Sequence, residues 1–250
     1  MNLVNRLKCP FCEKEIFKSL FKKKYSSKEL SDFIYKYYKS NELIKILQNE
    51  IYELCECTNC HGIFQKNIPN ESFLNFLYDD LISSVESLNK KVDYIKNHEK
   101  KLNQDFQMIS ALFEKKTESI KILEFGSGWG FWSKFMLSKS LNVTTCEFSD
   151  VRHQHLIKNK IQNFKSLDNI NTKFDFIYSE ETLEHVTFPL NVLRKLKSLL
   201  SKNGYMFHRF PSSFLFKSKL NKKYIPKKDC AHPLEHINII NKKSFIQMCE

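Results

Sequence analysis

Four cysteines stand in two equally spaced pairs, Cys9-Pro10-Phe11-Cys12 and Cys57-Thr58-Asn59-Cys60. Each pair can offer two thiolates from one tight turn, and two such turns complete the tetrahedral sulfur shell that Zn2+ prefers. Structural zinc binding is therefore expected of Cys9, Cys12, Cys57 and Cys60, with Cys55 and His61 near enough in sequence to compete. A redox pair would need only one C-x-x-C in a thioredoxin-like βαβ setting. A second constellation is built from glycine: three of the chain's five fall in Glu124-Phe125-Gly126-Ser127-Gly128-Trp129-Gly130. Glycine permits positive φ and lets a ligand approach the main chain without meeting a Cβ, so the cluster marks a turn against which a nucleotide-like cofactor could lie. Glu147 follows about 20 residues later, the spacing at which a carboxylate accepts hydrogen bonds from ribose hydroxyls.

Two further groups carry acid–base potential. Glu181-Thr182-Leu183-Glu184-His185 offers two carboxylates and an imidazole, and His232-Pro233-Leu234-Glu235-His236 offers two more imidazoles. Imidazole changes charge near neutral pH. His185 is the leading candidate base, with a hydrogen bond to a neighbouring loop as the competing role; His236 and His232 are secondary candidates.

The elements that must position these groups follow from periodicity. A helix-like stretch over 28–49 separates the cysteine pairs, giving a small two-knuckle segment over residues 1–68. Over 69–118 a helical connector is expected. Leu74, Leu77, Leu81, Val85, Leu88, Val92 and Ile95, then Leu102, Phe106, Ile109 and Phe113, recur in steps of three and four. The stripe lapses at 96–101, where a break is expected. It suits a helix packed on its own chain or a dimerising coiled coil, the former favoured. From residue 119 strands at 120–125, 142–147, 174–178 and 204–210 alternate with helices at 129–139, 151–160 and 190–200. Alternation at these lengths predicts right-handed crossovers in an α/β, doubly wound, mostly parallel sheet over 119–250.

A dinucleotide fingerprint would be G-x-G-x-x-G, but here Phe131 stands at the last position and Gly130 comes one residue early. The observed E-x-G-x-G-x-G resembles the first motif of the Rossmann-like class I S-adenosylmethionine-dependent methyltransferases. Phe174-Asp175-Phe176-Ile177, Leu183-Glu184-His185-Val186 and Lys202-Asn203-Gly204 resemble later blocks of that family in its order, with Asn203 where glycine is usual. The resemblance implies that Gly126, Gly128 and Gly130 line the methionine moiety, that Glu124 orients the loop, and that Glu147 holds the ribose. Asp168 would lie near the adenine, and Ser179 and Glu180 complete the expected cofactor residues. The E-x-x-E-H string is similar to one in ubiquinone-biosynthesis O-methyltransferases, which would imply a divalent metal at Glu181, Glu184 and His185. Pro233-Leu234-Glu235-His236-Ile237-Asn238, and Cys57 to Phe64, resemble segments of methyltransferases linked to sugar and polysaccharide biosynthesis. The expected acceptor is a small molecule, with a sugar or nucleotide-linked sugar leading; six lysines in 217–228 could cover an anionic substrate. The competing reading is a methyltransferase fold that binds a partner and catalyses nothing.

A formal charge of +12 invites a polyanionic partner, but the lysines are spread along the chain. The chain also lacks the [DNS]-P-P-[YFW] string of amine-directed base methyltransferases after the fourth strand and any Pro-Cys dipeptide, which counts against nucleic acid. No run of 18 apolar residues exists and the first residues lack the apolar centre of a signal peptide, so a cytoplasmic protein with reduced thiols is expected. The sequence ends at Glu250 inside a helix-like stretch, so the expectation is either a fragment or a sheet that lacks its last two strands, leaving the fifth strand as an exposed edge.

Overall fold

The computed structural model describes residues 2–221 and 223–250. Strands β1 (Leu3–Asn5) and β2 (Phe17–Lys24) precede helices α1 (Lys28–Tyr38) and α2 (Asn41–Leu47). The sequence suggests one helix here; Lys39 interrupts it at φ 52°, a left-handed stop whose N–H closes onto the Tyr35 carbonyl. Ser40 then caps α2 by accepting from the Leu43 N–H. Leu30, Ile34, Tyr38, Leu43 and Leu47 are buried, so both helices turn their apolar stripes inward. Strands β3 (Ile51–Cys57), β4 (Ile63–Gln65) and β5 (Asn67–Pro69) follow, then α3 (Glu71–Asn75) and a π-helical turn over Phe76–Leu81.

Helix α4 (Ser84–Leu112) leaves helical geometry at His98, with φ −122° and ψ 19°, inside the expected break. Leu102 and Ile109 are buried with Ile120, Ile122, Trp132, Met136 and Tyr178. The second half of the stripe is thus consumed by the chain's own core. Val92 and Ile95 lie outside the described side chains. Next come β6 (Lys121–Phe125), α5 (Phe131–Ser138), β7 (Asn142–Cys146), α6 (Asp150–Lys158), β8 (Asn163–Phe164), β9 (Phe174–Glu180), α7 (Pro189–Leu199) and β10 (Leu200–Arg209). The strands pair in parallel in the order β10-β9-β6-β7-β8. This is the doubly wound sheet expected from the sequence. The order reverses between β6 and β9, which places the switch point, where ligands bind in such sheets, at the end of β6. Asp105 of α4 is locked to β10 by Arg209, at 2.6 and 2.8 Å, and to α5 by Trp132 Nε1 at 3.0 Å.

The chain ends with α8 (Phe216–Lys219), β11 (Asn238–Ile239) and α9 (Lys242–Cys249). Strand β11 pairs antiparallel with β4, Asn238 opposite Phe64, and completes the sheet β11-β4-β3-β2. The compact units therefore do not coincide with segments divided at 68 and 118. One comprises the residues up to Ile82 with Leu183–Leu193 and Phe210–Glu250; the other comprises Ser83–Thr182 and Arg194–Arg209. The reason is long-range strand pairing, which returns the end of the chain to its beginning. Among the described residues no helix is long and apolar enough to cross a membrane.

Candidate functional site

The end of β6 enters the glycine turn with φ of 73°, 57° and 70° at Gly126, Gly128 and Gly130. The three are not equivalent. A Cβ on Gly126 would stand 2.3 Å from the Thr182 side chain, and one on Gly130 2.3 Å from Leu156, whereas one on Gly128 would meet nothing within 4 Å. Gly126 and Gly130 are required by the protein's own packing; Gly128 faces open space. Gly130→Ala should cost about 2–5 kcal/mol, the sum of typical left-handed strain and overpacking. Urea denaturation checks this, with Gly128→Ala expected to lose only about 1–2 kcal/mol from backbone strain.

Glu147, at the end of β7, is buried and already oriented. Its Oε2 accepts from the Gly128 N–H at 2.8 Å and its Oε1 from the Ser149 N–H at 3.1 Å. A carboxylate offers about four lone-pair sites, so acceptor capacity for ribose hydroxyls remains. Phe148 beside it is 50% exposed and meets Phe125 edge-on at 5.7 Å, offering a flat apolar face to a planar base.

Glu124 is buried and accepts a hydrogen bond from Ser133 Oγ of α5. Burial pushes its carboxyl up from the usual 4.5 to about 8, and the hydrogen bond from Ser133 only partly opposes this. Between these values the folded state holds a proton that the unfolded chain has released. Its contribution to stability is therefore fullest below pH 4.5 and is lost as pH rises to about 8. Glu124→Gln should flatten that slope, which is at most about 1.4 kcal/mol per pH unit; urea midpoints at several pH values within this window check it.

The other expected cofactor residues have partners within the protein. Asp168 is exposed and pairs with Lys195 at 3.0 Å. Ser179 is buried and shares a 2.7 Å hydrogen bond with His208. Glu180 is tied to Lys101 and Tyr178; burial pushes its carboxyl up, but these partners outweigh burial and hold it below the usual range.

In the other unit His185 and His236, far apart in sequence, come together. Their rings meet edge-on at 4.9 Å, and with Glu184 they offer three ligand atoms within 4.8 Å of one another. Such a set can hold a divalent cation. It differs from the set implied by E-x-x-E-H: His236 enters, while Glu181, at φ 49°, belongs to the other unit. The His236 Nδ1 lies 2.6 Å from the Asp229 carbonyl. A carbonyl only accepts, so Nδ1 carries the proton and Nε2 the lone pair. Tyr78 Oη lies 3.0 Å from His185 Nδ1, a partner that no sequence signal marked. His232 is fully buried, and burial, then the neighbouring His236, pushes its pKa down to about 2, so it stays neutral.

The four cysteines also converge. Cys9 Sγ is 3.6 Å from Cys60 Sγ, Cys12 Sγ is 3.5 Å from Cys57 Sγ, and all four thiols are free. Zinc with bonds of about 2.3 Å separates tetrahedral sulfurs by about 3.8 Å, so the residues fit the ion. The hydrogen bond between Cys9 and Cys60 lowers the Cys60 thiol and raises that of Cys9, so one proton is shared by this pair. Neither competitor belongs to the cluster: Cys55 bonds Glu53 at 3.6 Å and His61 approaches Glu56 at 3.8 Å. Lys217, from the lysine-rich stretch, is spent on Glu56 at 2.8 Å.

A family profile described as "Methyltransferase domain" matches residues 94–250. The chain belongs to this methyltransferase family. The chain is 32% identical over 118 residues to the ubiquinone biosynthesis O-methyltransferase of Actinobacillus pleuropneumoniae serotype 7, a match covering 40% of this chain and 47% of that protein. It is 30% identical over 126 residues to the protein of the same name from Pelagibacter ubique, covering 47% and 50%. Among solved structures, the plantazolicin methyltransferase BpumL in complex with SAH is 14% identical, covers 70% of each chain and has a TM-score of 0.48. The chain spans about half the length of the curated relatives it matches. The matched methyltransferase domain and the parallel Rossmann-like sheet are those that the glycine motif implied.

Proposed function

We propose that the chain transfers a methyl group from S-adenosylmethionine to a hydroxyl of a small-molecule acceptor. One observation carries the cofactor site: at the switch point of the sheet, Gly128 alone of the three turn glycines has an empty side-chain direction, and the Glu147 carboxylate sits against its N–H. When bound, S-adenosylmethionine supplies an electrophilic methyl group on a sulfonium. The protein's contribution is to orient, to exclude water and to receive a proton. His236 suits the last task, because its Nδ1 proton is held by the Asp229 carbonyl and its Nε2 is the basic atom; His185 stands beside it. The cysteine cluster holds zinc as a structural ion.

Two supports bear on the acceptor. The matched relatives are named for ubiquinone biosynthesis and for O-methyl transfer, which favours a hydroxyl. The segment Pro233–Asn238, similar to one in sugar-associated methyltransferases, carries His236 itself, which favours a sugar or nucleotide-linked sugar. Calorimetric titration with S-adenosylhomocysteine, with NAD as control, tests the cofactor; saturable binding of the former alone is expected. A labelled-methyl screen of nucleotide sugars and phenols then tests the acceptor. Cofactor binding without transfer to any cell extract would favour an idle fold; failure to bind cofactor would overturn the proposal.

A further inference from the structure

Arg6 is one of four arginines among the chain's 40 basic residues, and it is only 8% exposed. Its guanidinium reaches neutral oxygens on three separate stretches of chain. Nη1 donates to the Ile237 carbonyl at 2.9 Å, to Asn238 Oδ1 at 3.0 Å and, at 3.5 Å, to the Gln65 carbonyl. Nη2 donates to the Thr187 carbonyl at 2.9 Å. Asn238 repeats the connection in the other direction: its Nδ2 donates to the carbonyls of Leu183, at 2.9 Å, and Val186, at 2.6 Å, and its N–H donates to the Glu184 carbonyl at 3.0 Å. Residues 183–187, which carry His185, are thereby fastened to residues 237–238, which adjoin His236. Gln65 adds a third tie, from Nε2 to the His236 carbonyl at 3.0 Å.

Both arms of the cysteine cluster lead into this network. Arg6 lies three residues before Cys9, and β4, which ends in Gln65, begins three residues after Cys60. We propose that Arg6 is a positioning residue for the His185–His236 pair, and that the cysteine-bearing arm is thereby part of the acceptor-side machinery rather than an appended module. The role in catalysis rests on the function proposed above; the geometric role does not. A planar fork is required, because a lysine ammonium is a single point donor and cannot span the Thr187 and Ile237 carbonyls together. Burial pushes the Arg6 pKa down to about 9, while the charge of Cys9 opposes this. A zinc tetrathiolate, net negative, would strengthen that opposition and favour the charged fork.

The test uses full-length, zinc-loaded protein with isotope-labelled histidine. In the wild type the two rings, 4.9 Å apart and edge-on, should show a nuclear Overhauser contact and mutual ring-current shifts. Arg6→Gln and Arg6→Lys should both lose that signature, while affinity for S-adenosylhomocysteine stays within about twofold and zinc content is unchanged. With an acceptor in hand, kcat should fall on the order of 100-fold, as an ångström of misplacement typically costs. Retention of the imidazole contact in Arg6→Gln would overturn the proposal. Should Arg6→Gln fail to fold, Asn238→Ala cuts the same ties from the other end; loss of the contact there supports the proposal and its retention refutes it. Absence of cofactor binding in the wild type would instead sink the proposed function and leave the geometric result standing.

Discussion

Gly128→Val should abolish binding of S-adenosylmethionine and of its demethylated product, raising Kd by at least about 100-fold, or about 2.7 kcal/mol, in a protein that still folds. The expectation rests on the difference between the turn glycines. A side chain at Gly126 or Gly130 collides with Thr182 or Leu156, so substitution there damages the protein before any ligand is considered. At Gly128 nothing of the protein lies within 4 Å, and the cost to the fold is confined to φ of 57°, about 1–2 kcal/mol for an L-residue, somewhat more for a β-branched one. The Gly128 N–H that Glu147 accepts at 2.8 Å survives the substitution. What is lost is the volume above the backbone. Titration calorimetry beside a thermal melt separates the two effects: lost binding with a modestly lowered Tm is expected, and unchanged affinity would remove Gly128 from the site.

Protein purified without chelator should contain about one equivalent of zinc, as a single four-thiolate site requires, and removing it should unfold the unit that carries the cysteines. Structural zinc contributes on the order of 10–16 kcal/mol in isolated fingers, comparable with the whole stability of a typical domain. Here the ion would join the turn at Cys9 and Cys12 to Cys57 and Cys60 at the β3–β4 turn. The turn is also packed to its limit: a Cβ on Gly62 would lie 2.1 Å from the Phe11 ring. Cys60→Ser should therefore lose most bound zinc and the early part of the thermal transition. Cobalt substitution gives an independent reading, since four thiolates should produce intense sulfur-to-metal absorption that Cys60→Ser weakens. A metal-free, fully folded protein would refute the zinc site.

Much of this molecule can be read from local sequence. The strands and helices over 120–210 declare themselves through hydrophobic period, and the glycine turn through a backbone requirement that few other residues meet. Matched C-x-x-C spacing identifies the cysteine cluster. Each of these signals lies within a few residues, where propensity and side-chain chemistry act directly. Strands β8 and β11 show why others are silent: each has only two residues, too few for a period, and β11 exists because β4, far back in the chain, offers a free edge.

The sequence by itself determined the parallel sheet, the glycine turn and the two matched cysteine pairs. Only the tertiary structure decided which turn glycine faces open space, because that depends on where Thr182 and Leu156 arrive. It likewise decided that His236 rather than Glu181 joins Glu184 and His185, and that a lone arginine near the start holds segments from the far end of the chain. These are contacts of high sequence separation, set by how whole units close on themselves, and no local preference of the residues involved encodes them.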